Sequence, residues 1–189
     1  MTKILPRLKD SRYFLIDDLS SSDNTFNTYV LFHEYIASII ELCGNTPLIQ
    51  LKRLNLKKPQ AKIYCKLEWF NPSGSVKDRS IFNIIDEAEH NDQLKKGMTI
   101  LDSSSGNAGI SYALAGNVKG YDVLLTIPQN VSPERLKILK SYGAKVILTN
   151  PSEGSDGAIR KAREIYESNP KQYFYGKQYD RAANWIAHY

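Results

Sequence analysis

From residue 76 to residue 168 the chain alternates between two periodicities, and this alternation is what most restricts its fold. Helical spacing near 76–90, 107–118, 133–142 and 155–168 is interrupted by short apolar runs near 98–102, 121–127 and 144–149. Strands separated by a helix run parallel, and a parallel sheet needs helices over it because near-continuous apolar strands expose both faces to burial. The spacing therefore predicts an α/β chain, a parallel sheet with helices on both faces. Local signals agree: Ser132-Pro133 supplies an N-cap and a proline at the first helical position, and Gly143 supplies a stop.

Upstream of this region the pattern weakens. Residues 1–28 contain Ser20-Ser21-Ser22-Asp23-Asn24 and no sustained period, which predicts a weakly ordered extension. A helix is expected from Tyr29 to Glu41, stopped at Cys43-Gly44-Asn45, and strands are expected over Pro47–Leu51 and Ala61–Leu67.

Composition removes several function classes. The chain of 189 residues carries 25 basic and 20 acidic side chains, a net charge of +5, without a run of five like charges, so a mixed solvated surface is expected and no nucleic-acid footprint. Without an apolar run of about 18 residues, no membrane span or secretory core is expected. Cys43 and Cys65 have neither zinc-site nor CxxC spacing and are expected to be buried thiols in a cytoplasmic protein.

Two loops carry chemistry. Asn71-Pro72-Ser73-Gly74-Ser75-Val76-Lys77-Asp78-Arg79 joins a strand to a helix and puts Lys77 in the first helical turn. The positive end of a helix dipole disfavours a cation there, and Arg79 adds a second charge nearby, which favours a neutral, nucleophilic amine. An exposed lysine at an ordinary helix start fits the same spacing. The second loop, Asp102-Ser103-Ser104-Ser105-Gly106-Asn107-Ala108-Gly109, follows a strand and opens a helix. Serine hydroxyls, a close backbone and free helix N-terminal amides suit a carboxylate or phosphate, and they equally suit a plain N-cap and turn. Neither GK[ST] nor GxGxxG is present, so the two common nucleotide signatures are excluded. Successive strand ends would bring both loops to one sheet edge.

In combination, Gly44-Asn45-Thr46-Pro47-Leu48, the Lys77 loop and Ser104-Ser105-Gly106-Asn107 resemble the GNTPL, NPxGSVKDR and (T/S)SGN hallmarks of fold-type II pyridoxal phosphate (PLP) enzymes of the cysteine synthase and cystathionine β-synthase group. The resemblance runs from about Ile36 to the last residue and includes Ser132-Pro133-Glu134-Arg135, Gly143-Ala144 and Gln178-Tyr179. It implies pyridoxal 5'-phosphate as cofactor, held covalently by Lys77, which is also the catalytic base, with Asn107 bonded to the ring oxygen. Ser104, Ser105, Gly106, Asn107 and Gln178 would bind the substrate, and no metal is implied.

The activity implied is β-replacement in cysteine biosynthesis, in which an activated serine and sulfide or a thiol give cysteine or a related amino acid. A catalytically silent fragment or binding module, and a serine/threonine dehydratase or diaminopropionate synthase, are the competing readings. Ala108 departs from the family's usual threonine. The family's glycine-rich phosphate loop and the serine at the pyridine nitrogen would lie beyond Tyr189, so the resemblance implies a truncated or split product. The implied organisation is 29–79 as the start of a larger PLP domain, 80–176 as a small β-α domain and 177–189 as the return to the larger one. Its partners would be a small amino acid and either a second copy or a complementing C-terminal fragment.

Overall fold

The computed structural model describes residues 36–53, 60–104 and 106–189. The extension expected over 1–28 lies outside them, as does Ser105. So does the start of the helix expected from Tyr29 to Glu41. Its described end is a single 3-10 turn, Ile39–Leu42, opened by Ser38, whose Oγ accepts the Ile40 N–H at 3.4 Å. Residues 36–38 are not helical, because the serine at 38 offers a capping bond that competes with continuing a helix through it.

Strands β1 (Leu48–Gln50) and β2 (Tyr64–Lys66) form an antiparallel pair, with Ile49 opposite Cys65. The α/β part follows in chain order: α1 (Lys77–His90), β3 (Thr99–Ser103), α2 (Asn107–Lys119), β4 (Asp122–Pro128), α3 (Pro133–Ser141), β5 (Lys145–Thr149), α4 (Gly154–Ser168), β6 (Tyr173–Tyr175) and α5 (Ala182–Ile186). The four strands β3 to β6 make one parallel sheet in the order β5-β4-β3-β6. Every helix expected downstream of residue 75 is present within two residues of its expected bounds. The sequence reading missed β6 and α5: three and five residues are too few to show a period, and β6 exists because β3 offers it a ladder.

The sheet's two faces are covered unequally. On one side Ile100, Val123, Leu125, Ile127 and Phe174 pack under α1, α2 and α3; on the other Leu101, Leu124 and Tyr175 meet Ala162, Ile165 and Tyr166 of α4. Consecutive strand residues face opposite sides, so both layers draw on the same short strands. Helix α2 is buried from Ala108 to Gly116 because it lies between the sheet and α1, which explains its apolar sequence on all sides. Ile81, Ile84 and Ile85 of α1 are fully buried, each worth about 2 kcal/mol of transfer free energy. Helix α3 opens and closes as its sequence requires: Ser132 Oγ accepts the Arg135 N–H at 3.4 Å, and Gly143 takes φ +84°, a left-handed turn that lets Ala144 N–H reach the Leu139 carbonyl at 3.0 Å.

Cys43 and Cys65 are half-buried free thiols, less enclosed than expected: Cys43 packs at the edge of the main core, and Cys65 lies within the thinly covered strand β2. Burial nevertheless pushes the Cys43 thiol up to about 11. No helix of the described residues is long and apolar enough to cross a membrane.

Candidate active site

The Lys77 loop is built from the backbone outward. Gly74 takes φ +86°, and its N–H closes a turn on the Asn71 carbonyl at 2.8 Å. Asn71 is buried and fully used: its amide donates to the Glu68 carbonyl at 2.7 Å and to Glu68 Oε2 at 2.8 Å, and its Oδ1 accepts the Gly44 N–H at 2.9 Å. Gly44 of the GNTPL run is therefore fastened to the lysine loop.

Glu68 gathers these bonds. It accepts from Arg79 Nε at 2.8 Å, from Arg79 Nη2 at 3.1 Å and from the Thr46 hydroxyl at 2.8 Å. Arg79 is clamped in a two-pronged pair with Glu68. The Arg79 guanidinium, with help from Thr46 and Asn71, holds the Glu68 carboxyl down at about 2 despite partial burial. A carboxyl lowered in the folded state stabilises above its ordinary value and stops doing so as pH falls through the lowered one. Glu68→Gln is therefore expected to cost about 1 kcal/mol at neutral pH, reduced by solvent screening, and nothing near pH 2, in urea unfolding followed at both pH values.

Asp78, next to Lys77, is fully buried and joins the two loops that carry the candidate residues. Its Oδ2 accepts the Ser73 N–H at 2.6 Å, and its Oδ1 accepts the Ser73 hydroxyl and, at 2.6 Å, the Ser111 hydroxyl of α2. Ser111 lies one helical turn beyond Asn107, whose carbonyl it also approaches at 3.1 Å. One carboxylate thus sets the start of α1 against the start of α2. Sequence reasoning passed over it; an acid in the first turn of a helix was the available signal.

In the second loop Ser104 Oγ accepts the N–H groups of Gly106 at 3.3 Å and Gly109 at 3.2 Å. The capping role and the anion-binding role are compatible here, since the hydroxyl proton remains free to donate. Gly109 cannot carry a side chain: a Cβ would stand 2.5 Å from the Ser104 carbonyl oxygen. Asn107 is exposed at the first turn of α2.

These groups meet in one cleft of about 260 Å³ at the carboxyl ends of the strands, lined by Lys77, Ser104, Gly106, Asn107 and Gln178 among others. The N-terminal turns of α1, α2 and α4 all open onto it, through Lys77, Asn107 and Ser155, and their aligned dipoles favour an anion. Gln178 reaches it on the segment that leaves β6. Its side chain is buried, and its Nε2 makes no hydrogen bond among the described residues. A buried amide donor without a partner is costly.

Residues 39–189 match the family described as pyridoxal-phosphate dependent enzymes. A cysteine synthase of Aquifex aeolicus is 46% identical over 154 residues, which are 80% of this chain and 47% of that protein. A probable cysteine synthase of Bacillus subtilis is 44% identical over 153 residues, 81% of this chain and 49% of the relative. The crystal structure of O-acetyl serine sulfhydrylase isoform 3 from Entamoeba histolytica superposes with a TM-score of 0.75 at 41% identity, covering 82% of this chain and 47% of that one. The chain spans about half the length of the relatives it matches. With the motifs and the parallel sheet in agreement and the family model matched over residues 39–189, the chain belongs to the pyridoxal-phosphate dependent enzyme family.

Proposed function

We propose that the cleft is the amino-acid side of a PLP site for β-replacement, the reaction that joins sulfide or a thiol to an activated serine. The observation that carries the reading is the placement of Lys77, Ser104, Asn107 and Gln178 in one cleft onto which three helix N-termini open. Lys77 Nζ would hold the cofactor and would serve as the base for the substrate's α-proton. The Asn107 amide donates to the ring oxygen. Ser104, through its free hydroxyl proton, and Gln178, through Nε2, take the substrate carboxylate, and Ser105 belongs with them by its place in the loop. Bound PLP supplies the electron sink that makes the α-proton removable.

The residues present fit the ring and the amino-acid portion of such a complex. Among the described residues the cleft has no second glycine-rich turn, and none of its lining is assigned to the phosphate. Large apolar side chains stand exposed on and beside the β1–β2 pair, with Leu48 and Trp69 each 61% exposed, which supports a covering partner, either a second copy or a complementing segment. We place the protein in the cytoplasm, where its free thiols are stable.

Incubating the purified chain with PLP, reducing with borohydride and mapping peptides tests the lysine directly. The label is expected on the peptide containing Lys77; an unlabelled chain, or label scattered over exposed lysines, overturns the reading.

A further inference from the structure

Asp102 is a buried charged group with no part in the chemistry above. It lies on β3 immediately before the Ser103–Asn107 turn, is 2% exposed and does not line the Lys77 cleft. Its Oδ1 accepts the N–H of Ser103 at 2.7 Å. On its other side the carboxylate faces the backbone N–H of Gln178 and the hydroxyl of Tyr112 on α2. Neither Oδ2 nor the Tyr112 hydroxyl completes a regular hydrogen bond, and both crowd the space above Gly176. A Cβ at Gly176 would fall on the Tyr112 hydroxyl and 2.6 Å from Asp102 Oδ2, so the absence of a side chain there lets the segment after β6 close over the carboxylate. Arg181 steadies that segment, its Nε donating to the Gly176 carbonyl at 2.8 Å.

One side chain therefore touches the roots of both turns that reach the cleft, the one bearing Ser104 and Asn107 and the one bearing Gln178. Resting on the reading of Ser104 and Gln178 as the carboxylate-holding pair, we propose that Asp102 is a positioning residue that fixes the spacing of these two turns so that one carboxylate meets both. The groups facing it are Tyr112 from α2, Tyr175 from β6, Arg181 from the segment before α5, and the Ser103 and Gln178 amides. Desolvation lifts the Asp102 carboxyl to about 6, against the pull of its hydrogen bonds and Arg181, so the coupling changes within an accessible pH range.

Amide resonances of the 189-residue chain, followed by NMR across pH values around 6, test the bridge without any cofactor. The Ser103 and Gln178 N–H signals are expected to titrate with one shared midpoint, and Asp102→Asn is expected to abolish both titrations. Movement of Ser103 alone, or two different midpoints, overturns the proposal, and the wild-type result decides it even if the variant does not fold. Acetate serves as the carboxylate probe in the same samples: Asp102→Asn is expected to weaken its binding roughly tenfold, the effect of misplacing one good hydrogen bond. Unchanged acetate affinity in the variant counts against positioning. Failure of acetate to bind the wild type while the shared titration persists overturns the carboxylate reading of the cleft and leaves the coupling of the two turns standing.

Discussion

Replacing Asp78 by alanine is expected to cost the fold about 4 kcal/mol, a large part of the 5–15 kcal/mol typical of a domain. The carboxylate is wholly buried and is the acceptor for the Ser73 amide, the Ser73 hydroxyl and the Ser111 hydroxyl. Alanine leaves those donors in a space that water does not fill, and each pays the desolvation cost of an unmade bond. It also removes a negative charge from the first turn of α1, where the helix dipole welcomes one. Asp78→Asn is the sharper comparison. It keeps the shape and one acceptor oxygen but sets an amide against a donor, so an intermediate loss is expected. Urea unfolding, with Trp69 fluorescence reporting on the segment leading to Lys77, reads both variants. A loss under 1 kcal/mol for the alanine variant would mean that the bonds between α1 and α2 are not what holds the lysine in place.

The second large effect runs in the opposite direction. Above pH 6, Asp102→Asn is expected to stabilise the chain by about 2 kcal/mol. The folded-state value is raised from 3.8 to about 6, so the folded chain binds the proton more tightly than the unfolded one. Stability is then highest while the group is protonated, declines as pH rises from about 4 to about 6, and stays reduced above that. The linkage cost is about 3 kcal/mol, a value already net of the pull of the Ser103 amide, and asparagine is expected to recover about 2 of it because its amide does not reproduce every contact of the protonated carboxyl. Asparagine escapes the charge penalty, and its advantage is expected to disappear near pH 4. Unfolding curves of both chains at pH 4 and pH 7 decide the matter: an asparagine variant weaker than the wild type at pH 7 would show that the buried charge is a net support. A group that costs stability in this way is retained where its geometry serves the site, the exchange of stability for function common around reactive centres.

Much of the site was legible beforehand because its parts are local. Gly74 and Ser75 mark a turn before a helix, Ser104 through Gly109 mark a second, and the β-α rhythm brings both turns to the carboxyl edge of the sheet. Gln178 was reached by family resemblance, since the segment 171–181 has no period of its own. The partner of Arg79 was not legible for an instructive reason. Nearness along the chain suggested that its charge acts on Lys77, whereas Glu68, eleven positions earlier, offers a two-pronged partner that nearness cannot reveal.

By itself, then, the sequence determined the α/β class, the succession of helices and strands from residue 76 to residue 168, and the two turns that carry Lys77, Ser104 and Asn107. These depend on periodicity and on turn residues that act within a few positions. Only the tertiary structure decided that β6 adds to β3, that Gln178 lines the cleft, that Asp78 joins α1 to α2 through Ser111, and that Asp102 lies beneath Gly176 between both turns. Each of these is a contact between distant segments, fixed by burial and by the requirement that buried polar groups find partners, and neither condition exists until the chain has closed on itself.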